Sequence, residues 1–152
     1  MISLAALAII ASCIFFGFNQ INTHATVNRL YSEAQAVAEG QIDAILTKGP
    51  FDPTKTPPRI PTELALGTTT KTGVLVYVDP VTNETVVTGE MITTITDAGL
   101  TQTINGKTVD LNVRKARVEV RYAYRSKQKD PTTGLPVPNY SVVMNTLRTA
   151  DQ

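Results

Sequence analysis

The chain holds 152 residues, 42% of them hydrophobic, with a formal net charge of +1. This is enough for one modest core and an appendage, and the near-neutral balance excludes a partner class chosen by bulk charge. Cys13 is the only cysteine, which excludes an intrachain disulfide and reads as a small apolar residue.

The first predicted element is a helix that opens all-apolar. "MISLAALAIIASCIFFGF" begins at Met1, and no Asp, Glu, Lys or Arg occurs before Arg29. As a helix, Met1 to Phe18 measures about 27 Å, close to the hydrocarbon thickness of a bilayer. A secretory signal would carry a basic stretch ahead of the run, and a simple anchor would carry flanking charges. Neither is present, so the numbering is expected to start at a processed N-terminus, Met1, after removal of a charged leader.

The helical pattern then turns amphipathic. Val27, Leu30, Ala34, Val37, Ala38, Ile42, Ile45 and Leu46 recur at helical spacing, with Arg29, Glu33, Glu39 and Asp43 between them. This predicts a helix face that packs on a sheet, ending at Gly49-Pro50. Residues 1–28 form the apolar half and 29–48 the amphipathic continuation. Gly17, Asn19, Asn22, Thr23 and Asn28 are mediocre helix formers, so a bend or unwound turn is expected between Gly17 and Asn28 in the assembled state.

Residues 49–72, with five prolines between Lys48 and Gly67, read as a Pro/Thr-rich loop. Residues 73–152 read as an antiparallel β-sheet head. "GVLVYV" and "ETVVTGEMITTIT" are strands joined by a turn at "DPVTN", with a bulge expected at Gly89. "LTQTINGKTVDL" is a hairpin whose Asn105-Gly106 suits a type I′ turn. In "ARVEVRYAYR", Val118, Val120, Tyr122 and Tyr124 face one way, and Arg117, Glu119, Arg121 and Arg125 the other. A polar loop leads to a last strand, "NYSVVMNTL". Asp52-Pro, Asp79-Pro and Asp130-Pro each predict a turn whose aspartate caps the backbone. The fold class is α+β, a long N-terminal helix packed by its second half on an antiparallel sheet.

A bare apolar N-terminus, a long helix and then a sheet resemble the type IV pilin and pseudopilin family. "MISLAALAII" is similar to the start of mature pilins, and "RLYSEAQAVAEGQIDAIL" to the later helix of minor-pilin-like members. The resemblance implies a pilin-like fold and a structural subunit that polymerises into an extracellular filament on the bacterial cell surface. It also implies residence in the inner membrane before assembly. Met1 would then be the processed, methylated terminus, and Ile2, Leu4, Ala5, Ala6, Leu7, Ile9, Ile10, Ile14, Phe15, Phe16 and Phe18 the filament-core helix. Implied partners are copies of the chain, other pilins, a prepilin peptidase and the assembly machinery. The family's signature glutamate would fall at Ala5 or Ala6, and some relatives without it act as the tip subunit. The mid-helix proline and the paired C-terminal cysteines of many pilins are also absent.

Charge adds a second expectation. The first 106 residues hold nine acids and five bases, the last 46 four acids and nine bases. No aromatic RNA motif, finger or recognition helix accompanies that basic end, which argues against nucleic acid and for a subunit-contacting or solvated surface. Arg114, Lys115, Arg117, Arg121 and Arg125 are the candidate intersubunit contacts. His24 is the lone histidine, without a nearby carboxylate or thiol cluster, and no nucleophile elbow, phosphate loop or zinc spacing occurs. Neither enzyme chemistry nor a cofactor is expected. Asn83 and Asn139 match the N-x-[ST] acceptor pattern for glycosylation, beside their plainer role as turn and strand-end residues. The competing reading is a monomeric membrane-anchored binding module using the sheet or the loop at Lys127 and Lys129.

Overall fold

A computed structural model describes residues 2–79, 81 and 85–151, without the side chains of residues 2–6, 8, 85 and 86. Helix α1, Ile2–Thr47, runs unbroken for 46 residues, about 70 Å. Six strands follow: β1 Gly67–Val78, β2 Thr85–Asp97, β3 Thr101–Ile104, β4 Lys107–Asp110, β5 Arg114–Tyr122 and β6 Tyr140–Arg148. Four of them form an antiparallel sheet in the order β1-β2-β5-β6, and β3 and β4 form a separate two-stranded hairpin. The fold is α+β.

The core lies between the second half of α1 and one sheet face. Leu30, Ala34, Ala38, Ile42 and Ile45 are buried, with Val27 and Val37 half-buried, while Leu46 stays exposed. Opposite them the alternation of β5 buries Ala116, Val118, Val120 and Tyr122. Alanines at 34 and 38 remove side-chain bulk where the helix crosses, so the sheet approaches closely. Phe51 and Leu64, from the loop after the helix, close one end of this core and are fully buried.

In the single chain the helix is unbroken between Gly17 and Asn28, the stretch where a bend is expected on assembly, and three other expectations are corrected. The Thr23 and Thr26 hydroxyls donate to the carbonyls of Asn19 and Asn22, at 2.8 and 2.9 Å, so these residues find partners within the helix. The sheet begins at Gly67 rather than residue 73, because "GTTTKT" pairs with Ile95 through Glu90 on β2 and takes its partner from that strand. One extra residue lies at Gly73, between the Thr72–Glu90 and Val74–Gly89 pairs, with φ of 68°, and a second at Val76, between the Leu75–Thr88 and Tyr77–Val87 pairs. Gly89 is regularly paired with Tyr122, and a Cβ there would collide with the Arg121 carbonyl. Finally, β5 stops at Tyr122. Arg125 takes φ of 51°, so Tyr124 and Arg125 do not extend the strand's alternation.

The turn chemistry follows the sequence. Asn105 and Gly106 have φ of 52° and 77° at the β3–β4 turn. The carboxylates of Asp52, Asp79 and Asp130 accept from the N–H groups of Thr54, Val81 and Thr132, at 3.2, 2.8 and 2.7 Å.

Candidate functional site

Two regions of α1 differ sharply in what covers them. From Thr23 onward one helix face rests on the head, and Arg125 reaches from its loop to the Thr23 hydroxyl at 3.1 Å. Before Thr23 the helix projects as a stalk. Leu7, Ile9, Ile10, Ile14, Phe15, Phe16, Phe18 and Ile21 are all exposed, Phe15 by 76%. Successive residues step round a helix by about 100°, so Phe15, Phe16 and Phe18 point in different directions. Among the described side chains the large apolar residues from Leu7 to Phe18 therefore face all round the helix, with Asn19, Gln20 and Asn22 exposed nearer the head. Such an apolar surface favours an enclosing apolar environment.

Of the expected filament-core residues, Ile2, Leu4, Ala5 and Ala6 have side chains outside the described residues, as does Met1 altogether. Leu7, Ile9, Ile10, Ile14, Phe15, Phe16 and Phe18 lie on the stalk, joined by Ile21, which the apolar run alone did not single out. Cys13 and His24 are exposed on the same helix. Among the described residues, no helix is long and apolar enough to cross a membrane.

The five basic candidates occupy different environments. Arg114 pairs with Asp97 at 3.2 Å across β2–β5. Arg117 and Arg121 both turn inward along β5 to Glu119, at 2.7 and 2.5 Å, and Arg121 also lies 3.8 Å from Glu90. Arg125 bonds to Thr23 and lies beside the Tyr124 ring. Lys115 is exposed and has no ion-pair partner among the described residues. Glu119, expected to face solvent, is only 6% exposed, because its two arginines fold over it. The Arg121 hydrogen bond, helped by Arg117, holds its carboxyl below the usual range. A strand pattern shows which face a residue takes, but not that neighbours at i±2 will cover it.

Asn139 pairs with the Tyr124 backbone. Its Oδ1 accepts from Tyr124 N at 2.9 Å and its Nδ2 donates to Tyr124 O at 3.0 Å. The amide thus braces the loop before β6. Asn83 lies outside the described residues. No group of three His, Cys, Asp or Glu side chains is placed to hold a metal among the described residues.

Two further surfaces escaped the sequence reading. A groove of about 490 Å³ runs between α1 and the sheet-edge strand β1, bordered by Arg29, Glu33, Val37, Leu75 and Tyr77. The Arg29 guanidinium sits over the Tyr77 ring, 4.4 Å from its centroid. The other surface is one face of the β3–β4 hairpin, where Leu100, Ile104, Val109 and Leu111 are all exposed. The groove leaves no local signal, because its two walls are distant in sequence, whereas the hairpin is legible locally and only its lack of cover is not. No family model, curated protein or solved structure matches the chain.

Proposed function

We propose that the chain is a structural subunit of a type IV pilus-like or pseudopilus filament, polymerising through the N-terminal half of α1. The observation that carries this reading is the stalk, which leaves eight large apolar side chains exposed among the described residues. Full burial of a large apolar side chain contributes about 1.5–3 kcal/mol, so enclosing the stalk is worth on the order of 10–20 kcal/mol before association costs. Exposed ion pairs contribute about 0–1 kcal/mol each. Cohesion in such a filament therefore comes from bundled stalks, and the heads set register. Ala11 and Gly17 leave room for close helix approach.

Before assembly the same stalk would lie in the inner membrane, and the head outside it. The test is removal of residues 1–22, leaving α1 from Thr23, where head contact starts. The truncated chain is expected to be soluble and monomeric, and to yield no filaments in material sheared from cells producing it. The full chain should yield filaments with this protein as a component. A full chain that anchors in membranes but never appears in sheared filaments would instead favour the monomeric binding module.

A further inference from the structure

The β3–β4 hairpin is hard to explain within one copy. A two-stranded hairpin is marginal in water unless something covers it, and every residue of both strands is exposed. Its two strands pair only with each other. The pairs Gln102–Val109 and Ile104–Lys107, continued by the Leu111 N–H donating to Leu100 O at 3.0 Å, place Leu100, Ile104, Val109 and Leu111 on one face. Ile104 is 52% exposed. The opposite face carries threonines and Asp110.

The hairpin and the α1–β1 groove lie at opposite ends of the head. The hairpin leaves β2 at Asp97 and returns at Arg114, whose strand partner is Arg148. Arg148 binds the carbonyls of Ile45, Lys48 and Gly49, so the hairpin rises beside the C-terminal end of α1. The groove lies near Arg29, about 24 Å back along the helix from Ile45. The arm extends from the sheet end at Asp97 and Arg114, and none of its residues borders the groove of its own copy.

The two surfaces match in chemistry. Leu75, 53% exposed, and Val37 and Tyr77 give the groove an apolar floor. Glu33 at its rim is opposed in charge to Lys107, which shares the apolar face of the hairpin through its pairing with Ile104. Beside the groove, β1 is an edge strand with an unpaired backbone row, the usual acceptor for another extended segment.

We propose that the β3–β4 hairpin of one copy docks its apolar face in the α1–β1 groove of the next, with Lys107 toward Glu33. Because donor and acceptor are different surfaces, the contact is heterologous and repeats head-to-tail from copy to copy. It would supply the directional head contact of a polymer, and in that respect rests on the filament reading, while making a separate claim about which surfaces meet.

The experiment is disulfide trapping in the full-length chain produced in cells, with Cys13→Ser and the pair Leu75→Cys and Val109→Cys. Mild oxidation should give a ladder of covalent dimers, trimers and higher forms, and neither single-cysteine chain should pass the dimer. Lys107→Glu should lower the yield by roughly two- to fivefold, the range for an exposed ion pair, and adding Glu33→Lys should restore it. Because arm substitutions can disturb the hairpin itself, Val37→Ser on the groove side supplies an independent loss of about tenfold. Filaments without a ladder overturn the hairpin contact and leave the filament reading standing. A ladder without filaments keeps the contact and removes the filament reading. Absence of both overturns both.

Discussion

Phe51 and Asp151 hold each other through two hydrogen bonds of 2.7 Å, Phe51 N donating to the Asp151 carboxylate and Asp151 N donating to Phe51 O. This clasp fastens the end of the chain to the loop that follows α1. Between them stands Arg148, buried, with Nη1 on the Ile45 and Lys48 carbonyls and Nη2 on that of Gly49. The last carbonyls of a helix have no partner within the helix, and here a guanidinium from β6 satisfies that of Ile45 in the last turn and those of Lys48 and Gly49 just beyond it.

Arg148→Ala should therefore lower stability by about 2–4 kcal/mol, because it leaves partly buried carbonyls unpaired and opens space beside Phe51. Arg148→Lys should recover little of this, since an ammonium lacks the planar fork that reaches three carbonyls. Urea unfolding of the stalkless chain reads both. Equal stability for Arg148→Ala and the unaltered chain would rule out the cap.

The buried carboxylate on the outer sheet face makes a pH prediction. Two arginines hold Glu119 below its ordinary value of 4.5. A depressed folded-state pKa means the unfolded chain binds the proton more tightly. The contribution of Glu119 is thus present above about pH 4.5 and is lost as pH falls through the folded value. Glu119→Gln should be less stable than the unaltered chain at pH 7 and should lose less on acidification. Parallel acid limbs for the two would show that Glu119 does not drive the pH response.

Much of this architecture is legible in the sequence because it follows local rules. The spacing of Leu30, Ala34, Ala38, Ile42 and Ile45 marks the packed helix face, Asn105-Gly106 the hairpin turn, and three Asp-Pro pairs the capped turns. What escapes is decided by distant partners. Phe51 and Leu64 sit in a proline-rich stretch without periodicity, so nothing local distinguishes them from exposed loop residues. "GTTTKT" is a strand because β2 is there to pair with it. A bulge falls at Gly73, where positive φ is needed, while Gly89 is required by close packing against Arg121 and Val76. The stalk was legible as an apolar run, whereas the groove was not, because its walls on α1 and β1 are distant in sequence.

Tyr122 offers a prediction of opposite sign. Its ring is buried and stacks on Tyr140 with centroids 5.6 Å apart, yet its hydroxyl has no hydrogen-bond partner among the described residues. Burial, with Tyr140 and Tyr31 nearby, pushes its pKa up. A buried unpaired hydroxyl is a cost, so Tyr122→Phe should be neutral or stabilising by up to about 1 kcal/mol. Tyr122→Ala should cost about 3–5 kcal/mol through the lost ring. A large loss for Tyr122→Phe would reveal a partner for the hydroxyl.

The last prediction separates the basic residues of β5. Arg117 and Arg121 cover Glu119, so reversing both to glutamate would set three carboxylates together on the sheet and destabilise the head itself. Impaired assembly of that variant would say nothing about subunit contacts. Lys115 is different: it is exposed and has no ion pair in its own chain among the described residues, and its strand neighbour Leu147 is exposed beside it. If the basic face meets acids of an adjacent head, Lys115 is the residue free to do so. Lys115→Glu should leave the stability of the head within about 0.5 kcal/mol of the unaltered chain. It should also lower filament yield at low salt by roughly two- to fivefold, with the difference shrinking as salt screens the contact. Filament yield across a salt series, beside urea unfolding of the same variants, checks both halves. An unchanged yield at low salt would assign Lys115 to a merely solvated strand face.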